Sequence, residues 1–586
     1  MRKSLPVFLL TGLLATSSYA QHAKKTISSQ HAPLPAGAKK LPLNSVPLGD
    51  ADTFNEVKLD VPVAKGPFEP TWASIEKNYP GEPQWLRDAK FGIWVHFGPQ
   101  ASGESGDWYA RRMYVQGTKA YANHVKKYGH PSKAGYMEVL HNWKPNLLDP
   151  KKLAKIYKDA GARFLMIQGV HHDNYDMWNS KYQPWNSMNV GPKRDIIGEW
   201  AKASRAEGIR FGVTFHHEYT WWWWQTAFGS DTSGAYKGKP YDGNLTLQDG
   251  KGKWWQGLDP RLLYGVDLRE YKGVESAARS AWSPPAPGIF SNHLQYAKWY
   301  ATNWAMRMED VVQHYDPDFI YTDGTVQGPF TGNGTGTGYK ADAMQRVIAD
   351  FYNRTLTRRG KVNTFSVVKF RDKTNGTVTT EEFGIPEKIK TDQPWIAEVP
   401  VGDWFYEPGF TYDSGMMIKY ITEAIARDGN ACICISLLPD GSLNSESQKM
   451  LKEVGVWMRR NGEAVYGSHA WVIPGEGEQV NGKLKMLPGG KLGKSQANFK
   501  FNEQDFRFTV GKNKSLYVLS MVVPKAGAKV TIQSLGADAK RLSQPVKSVS
   551  LLGYEGKLDW QQSGDALIVT CPASMPYATS VVFKVD

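Results

Sequence analysis

From Trp85 to Ser436 the chain repeats one unit, a short run of aromatic and β-branched residues followed by an amphipathic stretch. Phe91–Val95, Phe164–Ile167, Ile209–Phe215, Phe319–Tyr321 and Ala431–Ser436 read as strands. Between them, Asp149–Ala160, Asp195–Glu207 and about His293–Tyr315 carry helical spacing, the first with Asp149 as N-cap and Pro150 at the first position. Strands that alternate with helices over this length predict a parallel sheet, most simply a (β/α)8-like barrel spanning 81–470. In such a barrel the carboxyl ends of the strands carry the chemistry. Here those ends bear His96, His171-His172, His216-His217-Glu218 and Asp323. Asp323 alone has a plain second reading, as the Asx-turn residue before Gly324; the coincidence of polar strand ends is what favours a site.

The flanks read differently. Met1–Ala20 has a basic start, an apolar stretch and Ser-Tyr-Ala at its end, the pattern of a secretory signal, and implies an exported, periplasmic or secreted protein. Residues 21–80 form a linker or an arm lying on the main domain. After Ala470 short alternating strands separated by Gly, Pro and Asp predict a small antiparallel β-sandwich over 471–586, serving either as support or as a glycan binder. No later run approaches the roughly 18 apolar residues of a membrane span. Three Cys are too few for a disulfide framework and read as small buried residues. A net charge of +14 without a basic run interleaved with aromatics excludes an obvious nucleic-acid surface, and leaves an anionic polysaccharide or simple solubility. The 22 Trp suit stacking on sugar rings. The long irregular segment Tyr219–Phe290, with Trp221–Trp224, is either a Trp-lined rim over a cleft or a self-packed loop.

Several motifs, in order, resemble the α-L-fucosidases of glycoside hydrolase family 29. They are Trp85–Gly98 (WLRDAKFGIWVHFG), Gly106-Asp107-Trp108-Tyr109, His171-His172 with Trp178 and Val190–Asp195, Tyr321-Thr322-Asp323-Gly324, Asn430–Gly441 and Trp457–Gly467. The resemblance implies an exo-glycosidase that releases α-L-fucose with retention. Two carboxyls then sit about 5–5.5 Å apart, one the nucleophile and one the acid/base. It assigns Asp323 as nucleophile, and Thr379–Pro386 points to Glu382 as acid/base, with Glu381 and Glu398 as alternatives. His96, Asp107, Trp108, His171, His172, His216 and Tyr321 would bind the sugar, neutral imidazoles suiting hydroxyls because they both donate and accept. Arg371, eleven residues before Glu382, is the candidate cation for the carboxyl region. No cofactor and no metal are implied, since adjacent His171 and His172 point to opposite faces of a strand. The chain departs from the family pattern in Phe215–Glu218, in Ala397 before Glu398, and in Trp404-Phe405-Tyr406 where Trp-Gly-Tyr is common. An α-L-galactosidase, differing from a fucosidase by one substrate hydroxyl, an enzyme for sulfated polysaccharide, and a catalytically silent carbohydrate binder remain open. Oligomeric state is left undetermined.

Overall fold

Eight parallel strands form the centre of the molecule: β1 (Phe91–Val95), β2 (Phe164–Val170), β3 (Arg210–Phe215), β4 (Phe319–Thr322), β5 (Phe365–Val368), β6 (Thr379–Glu382), β7 (Trp395–Pro400) and β8 (Asn430–Cys434). The computed structural model describes residues 58–269, 274–279, 294–324, 341–369, 375–409, 412–480 and 501–586. The signal-like segment, Trp282 and Arg371 therefore lie outside the described residues. The sheet runs β5-β4-β3-β2-β1-β8-β7-β6. A lone parallel bridge, Val367 to Val378, brings its two edges together into a nearly closed barrel. Helices outside and side chains inside leave most strands buried along their whole length, which is why they read as continuous apolar runs. Two strand glycines are required by close approach. A Cβ at Gly92 would come within 2.3 Å of the Phe164 ring, and one at Gly212 within 2.2 Å of the Phe319 ring.

Among the helices that flank or follow the barrel strands are α1 (Pro150–Asp159), α2 (Ile196–Ala206), α3 (Leu294–Tyr315), α4 (Ala343–Arg359), α5 (Ser414–Ile425) and α6 (Ser445–Asn461). The Asp149 side chain accepts from Lys152 N, as its N-cap position demands. Residues 58–70 run along α4 and are hydrogen-bonded to its side chains. Asp342, Asp350 and Asn353 accept from the backbone of Leu59, Ala64 and Phe68, and Asn353 donates back to Ala64 O and Phe68 O.

Trp221–Trp224 are buried and are not among the residues lining the cavity at the carboxyl end of the barrel; Trp224 packs against Tyr114, Tyr136 and Tyr264. For these four residues the self-packed reading is the observed one: Trp222 and Trp223 pack on Trp108, Trp224 on tyrosines, and Arg111 ties the loop down through Trp223 O and Ala277 O, while Tyr219 at the start of the segment lines the cavity.

Beyond the barrel, β9 (His469–Glu476), β10 (Phe506–Val510), β11 (Leu516–Ser520), β12 (Lys529–Ile532), β13 (Val549–Leu551), β14 (Trp560–Gln562), β15 (Leu567–Thr570) and β16 (Val582–Val585) make two antiparallel sheets. They enclose a separate core that includes Phe506, Phe508, Leu567 and Phe583. A buried ion cluster ties this unit to the barrel: Arg507 on β10 donates to Glu423 on α5 at 2.9 and 2.6 Å, and Arg427 also reaches Glu423. All three Cys are buried and free.

Candidate active site

The barrel ladder continues one residue past several strands, and that extra step places the polar side chains. His216 N donates to Val170 O, Asp323 N to Phe215 O, and Lys369 N to Thr322 O. The side chains so presented line a cavity of about 630 Å³ at the carboxyl end of the barrel. His96, Asp107, Trp108, His171, His172, His216, Asp323 and Glu382 all face it. Tyr321 lies beneath, its hydroxyl donating to Glu398 Oε1 at 3.0 Å.

The carboxyls are organised by Lys369. Its Nζ stands 2.9 Å from Asp323 Oδ1 and 3.0 Å from Glu382 Oε2, so these two oxygens are no more than 5.9 Å apart. Burial works to push the Lys369 ammonium down, but the charges of Asp323 and Glu382 outweigh it and hold it well above the ordinary lysine range.

The three acidic candidates separate by position. Glu382 faces the cavity. Glu398 is its registered neighbour on β7, but is fully buried, and burial lifts its carboxyl toward the neutral form. Glu381, one residue away on β6, points to the opposite face, where Lys390 holds it at 2.9 Å. Phe383, next after Glu382, has a left-handed backbone (φ +58°), as does Trp108 (φ +64°). Such non-glycine conformations persist where surrounding structure enforces them, and they cluster at functional sites.

Four histidines form the opposite wall. Gln100 Oε1 accepts from Ala110 N, so its amide nitrogen donates to His171 Nδ1 at 2.7 Å. His171 therefore carries its proton on Nε2, which faces Asp107 Oδ1 at 3.6 Å. His172 Nδ1 donates to His216 O, and its bare Nε2 faces Asp323 Oδ2 at 3.7 Å. His216 Nδ1 donates to Val170 O at 3.3 Å, leaving its Nε2 as an acceptor. Neither nitrogen of His96 has a hydrogen-bond partner among the described residues. Burial pushes all four down, His172 and His216 to about 3, so they are neutral rings offering one proton and one lone pair each. A row of fixed donors and acceptors of this kind suits a ring of hydroxyls. Donor nitrogens of His96, His171 and His216 come within 4.8 Å of one another, near enough for one cation. Gln100 sets His171 against that use, because the Nε2 it turns outward bears hydrogen rather than a lone pair.

The remaining wall is mixed. Trp94, Phe383 and Trp404 supply an apolar surface, with Trp94 to Trp404 at 5.1 Å and Phe383 to Trp404 at 5.5 Å. Towards the mouth stand Asp107, Asp403 and Glu407 with Arg112 and Lys119. Burial, then the Asp403 charge, raises Asp107 well above the usual carboxylate range; burial pushes Asp403 up to about 6.

The sequence model described as "Alpha-L-fucosidase" matches residues 56–463. The chain belongs to the α-L-fucosidase family. It is accordingly a glycoside hydrolase. The tissue α-L-fucosidase of Rattus norvegicus is 22% identical over 520 residues, covering 87% of this chain and 89% of its own. The α-L-fucosidase of Dictyostelium discoideum is 23% identical over 432 residues, covering 69% and 76%. The fold is shared with an α-L-fucosynthase from Thermotoga maritima in complex with a fucosyl-fucose azide (TM-score 0.61, 20% identity, 89% of this chain and 100% of that one). It is also shared with a Bacteroides thetaiotaomicron α-L-fucosidase trapped as a covalent intermediate with 2-fluoro-fucosyl fluoride (TM-score 0.55, 17% identity, 91% and 99%).

Within this fucosidase-family pocket, sequence reasoning missed Lys369, Trp94 and Asp403. Lys369 directly follows Phe365-Ser366-Val367-Val368, a strand-like run whose polar next residue is the signal that could find it; Arg371, the cation expected in this region, lies outside the described residues. Phe405, standing where glycine is common, is fully buried and packs edge-on against His96 and His171 at 4.9 and 5.0 Å. That departure braces the histidine wall.

Proposed function

We propose that this protein is an exported, retaining exo-α-L-fucosidase in which Asp323 is the nucleophile and Glu382 the acid/base. The observation that carries the reading is the single ammonium of Lys369 in contact with both carboxyls. It holds Asp323 Oδ1 and Glu382 Oε2 no more than 5.9 Å apart, a spacing compatible with the roughly 5–5.5 Å between the carboxyls of retaining glycosidases. A fully buried Glu398 cannot reach a leaving group, and Glu381 faces away, which leaves Glu382 for proton transfer. Asp323 attacks the anomeric carbon while Glu382 protonates the departing oxygen; Glu382 then takes a proton from the water that releases the sugar. His171 donates to a sugar hydroxyl, whereas His172 and His216 accept from one. The apolar wall of Trp94, Phe383 and Trp404 suits the C6 methyl of fucose.

The test is hydrolysis of an aryl α-L-fucoside beside the matching α-L-galactoside, with the product anomer followed by NMR. Release of α-L-fucose as first product is expected. First release of the β-anomer, or turnover of the galactoside alone, refutes the proposal.

A further inference from the structure

Lys369 directly follows β5, the strand between the one that presents Asp323 and the one that presents Glu382. Its side chain is 9% exposed, and the side chains of Asp323 and Glu382 are 10% and 25% exposed. In so buried a place an unbalanced charge is costly, and removing one member of an ion pair leaves the other uncompensated. We propose that Lys369 is a positioning residue that keeps the carboxyl pair balanced through both halves of the reaction, passing its main ion pair from Asp323 to Glu382 as the glycosyl-enzyme forms. The inference rests on the retaining reading given above.

The charge count makes the case. The retaining mechanism starts from an Asp323 anion and a neutral Glu382 acid beside the Lys369 cation, so in that state the trio sums to zero. In the first step an Asp323 oxygen bonds to the anomeric carbon, the bond from that carbon to the leaving oxygen breaks, and the Glu382 proton goes to the leaving oxygen. Asp323 is now a neutral ester and Glu382 an anion; the sum is again zero. Lys369 Nζ already lies 3.0 Å from Glu382 Oε2, so the new pair forms without a conformational change. In the second step Glu382 takes a proton from water as the water oxygen bonds to the carbon, and the electron pair of the broken ester bond returns to Asp323. Lysine suits this hand-over because its compact ammonium can turn three hydrogens between partners, whereas a guanidinium fork is fixed in one plane.

Other groups also face Lys369. Tyr321 on β4 donates to Glu398 Oε1 on β7, and both favour the ammonium less strongly than Asp323 and Glu382 do. His96, His171, His172 and His216, after β1, β2 and β3, are held neutral in part by the Lys369 charge itself. Tyr219 donates to Gly324 O.

The test compares wild type, Lys369→Met and Lys369→Arg on an aryl α-L-fucoside with a good leaving group, across pH and with azide. Without the ammonium each carboxylate is harder to ionise, so both limbs of the pH–rate profile of Lys369→Met move up by about one unit or more. At neutral pH kcat falls roughly 10²–10³-fold. Azide, which needs no base, accelerates the variant and yields fucosyl azide. Lys369→Arg returns the limbs toward their wild-type positions even where kcat stays low. Should Lys369→Met not fold, Lys369→Cys treated with bromoethylamine rebuilds an ammonium at that point, the three native cysteines being buried; the limbs should shift in the untreated variant and return on alkylation. Unchanged limbs in Lys369→Met, or in untreated Lys369→Cys, with the enzyme otherwise active, overturn this inference alone. A wild type silent on the fucoside overturns the fucosidase proposal and this inference with it.

Discussion

Replacing Glu382 and Glu398 by Gln, one at a time, separates the carboxyl that moves a proton from the one that only fills a buried site. General acid catalysis is worth about 10²–10⁴-fold, or roughly 3–5 kcal/mol of barrier at 1.36 kcal/mol per tenfold. Glu382→Gln keeps the shape and one carbonyl oxygen for Lys369 but cannot give up a proton. It should lose that full factor on methyl α-L-fucoside and far less on an aryl fucoside whose leaving group needs little help. The alkaline limb of its pH profile should vanish. Glu398 is fully buried, its Oε1 accepts from Tyr321 at 3.0 Å, and burial favours its neutral form. A glutamine there still accepts from Tyr321 and carries the same charge as a protonated acid, so Glu398→Gln should stay within about tenfold of wild type, with no dependence on leaving group. The assay is kcat/KM on the two substrates from pH 4 to 9. A Glu398→Gln variant selectively crippled on the methyl glycoside, or a Glu382→Gln variant that hydrolyses it normally, would refute the assignment.

Acid should unfold this protein through its histidines. His96, His171, His172, His216 and His217 are all pushed down by burial, so below the unfolded value of about 6.5 the unfolded chain binds protons that the folded one refuses. Each then withdraws up to about 1.4 kcal/mol per pH unit, and thermal scans from pH 7 to 4.5 should show a falling Tm; a flat Tm would contradict the neutral-ring description. His314 acts in the opposite sense: Asp310 raises it to about 8, so its stabilisation is whole below about 6.5 and disappears as pH rises through 8. With its side chain 60% exposed, screening holds that contribution below about 1 kcal/mol, and His314→Ala should lower Tm slightly at pH 6 and not at pH 9. Asn353→Ala removes three hydrogen bonds to the arm at 58–70, and should cost about 1–3 kcal/mol and open that arm to limited proteolysis. Arg507→Met takes one of two cations from buried Glu423 and should cost about 3–5 kcal/mol, read as a lower denaturation midpoint.

What could be read along the chain was what one strand or helix decides by itself. The strand ends carrying His96, His171, His216 and Asp323 were legible because a buried parallel strand must be apolar to its last turn, and a polar residue placed there has a functional reason. Asp149 and Pro150 marked a helix start by local capping chemistry alone. What escaped depends on which elements become neighbours. Lys369 acquires its importance from directly following the strand between Asp323 and Glu382, and strand adjacency is absent from a linear pattern. The choice among Glu381, Glu382 and Glu398 likewise needed the alternation of β6 and its register with β7, since a shift of one residue would exchange Glu381 for Glu382 at the cavity. The Trp221–Trp224 run stayed open between two readings for a related reason: sequence shows how much aromatic surface exists, but only the rings contributed by distant segments decide whether that surface meets sugar or protein. Residues that act through their own backbone position can therefore be found one at a time, whereas charges that act on each other must be found as a set, and the Asp323–Lys369–Glu382 trio is such a set.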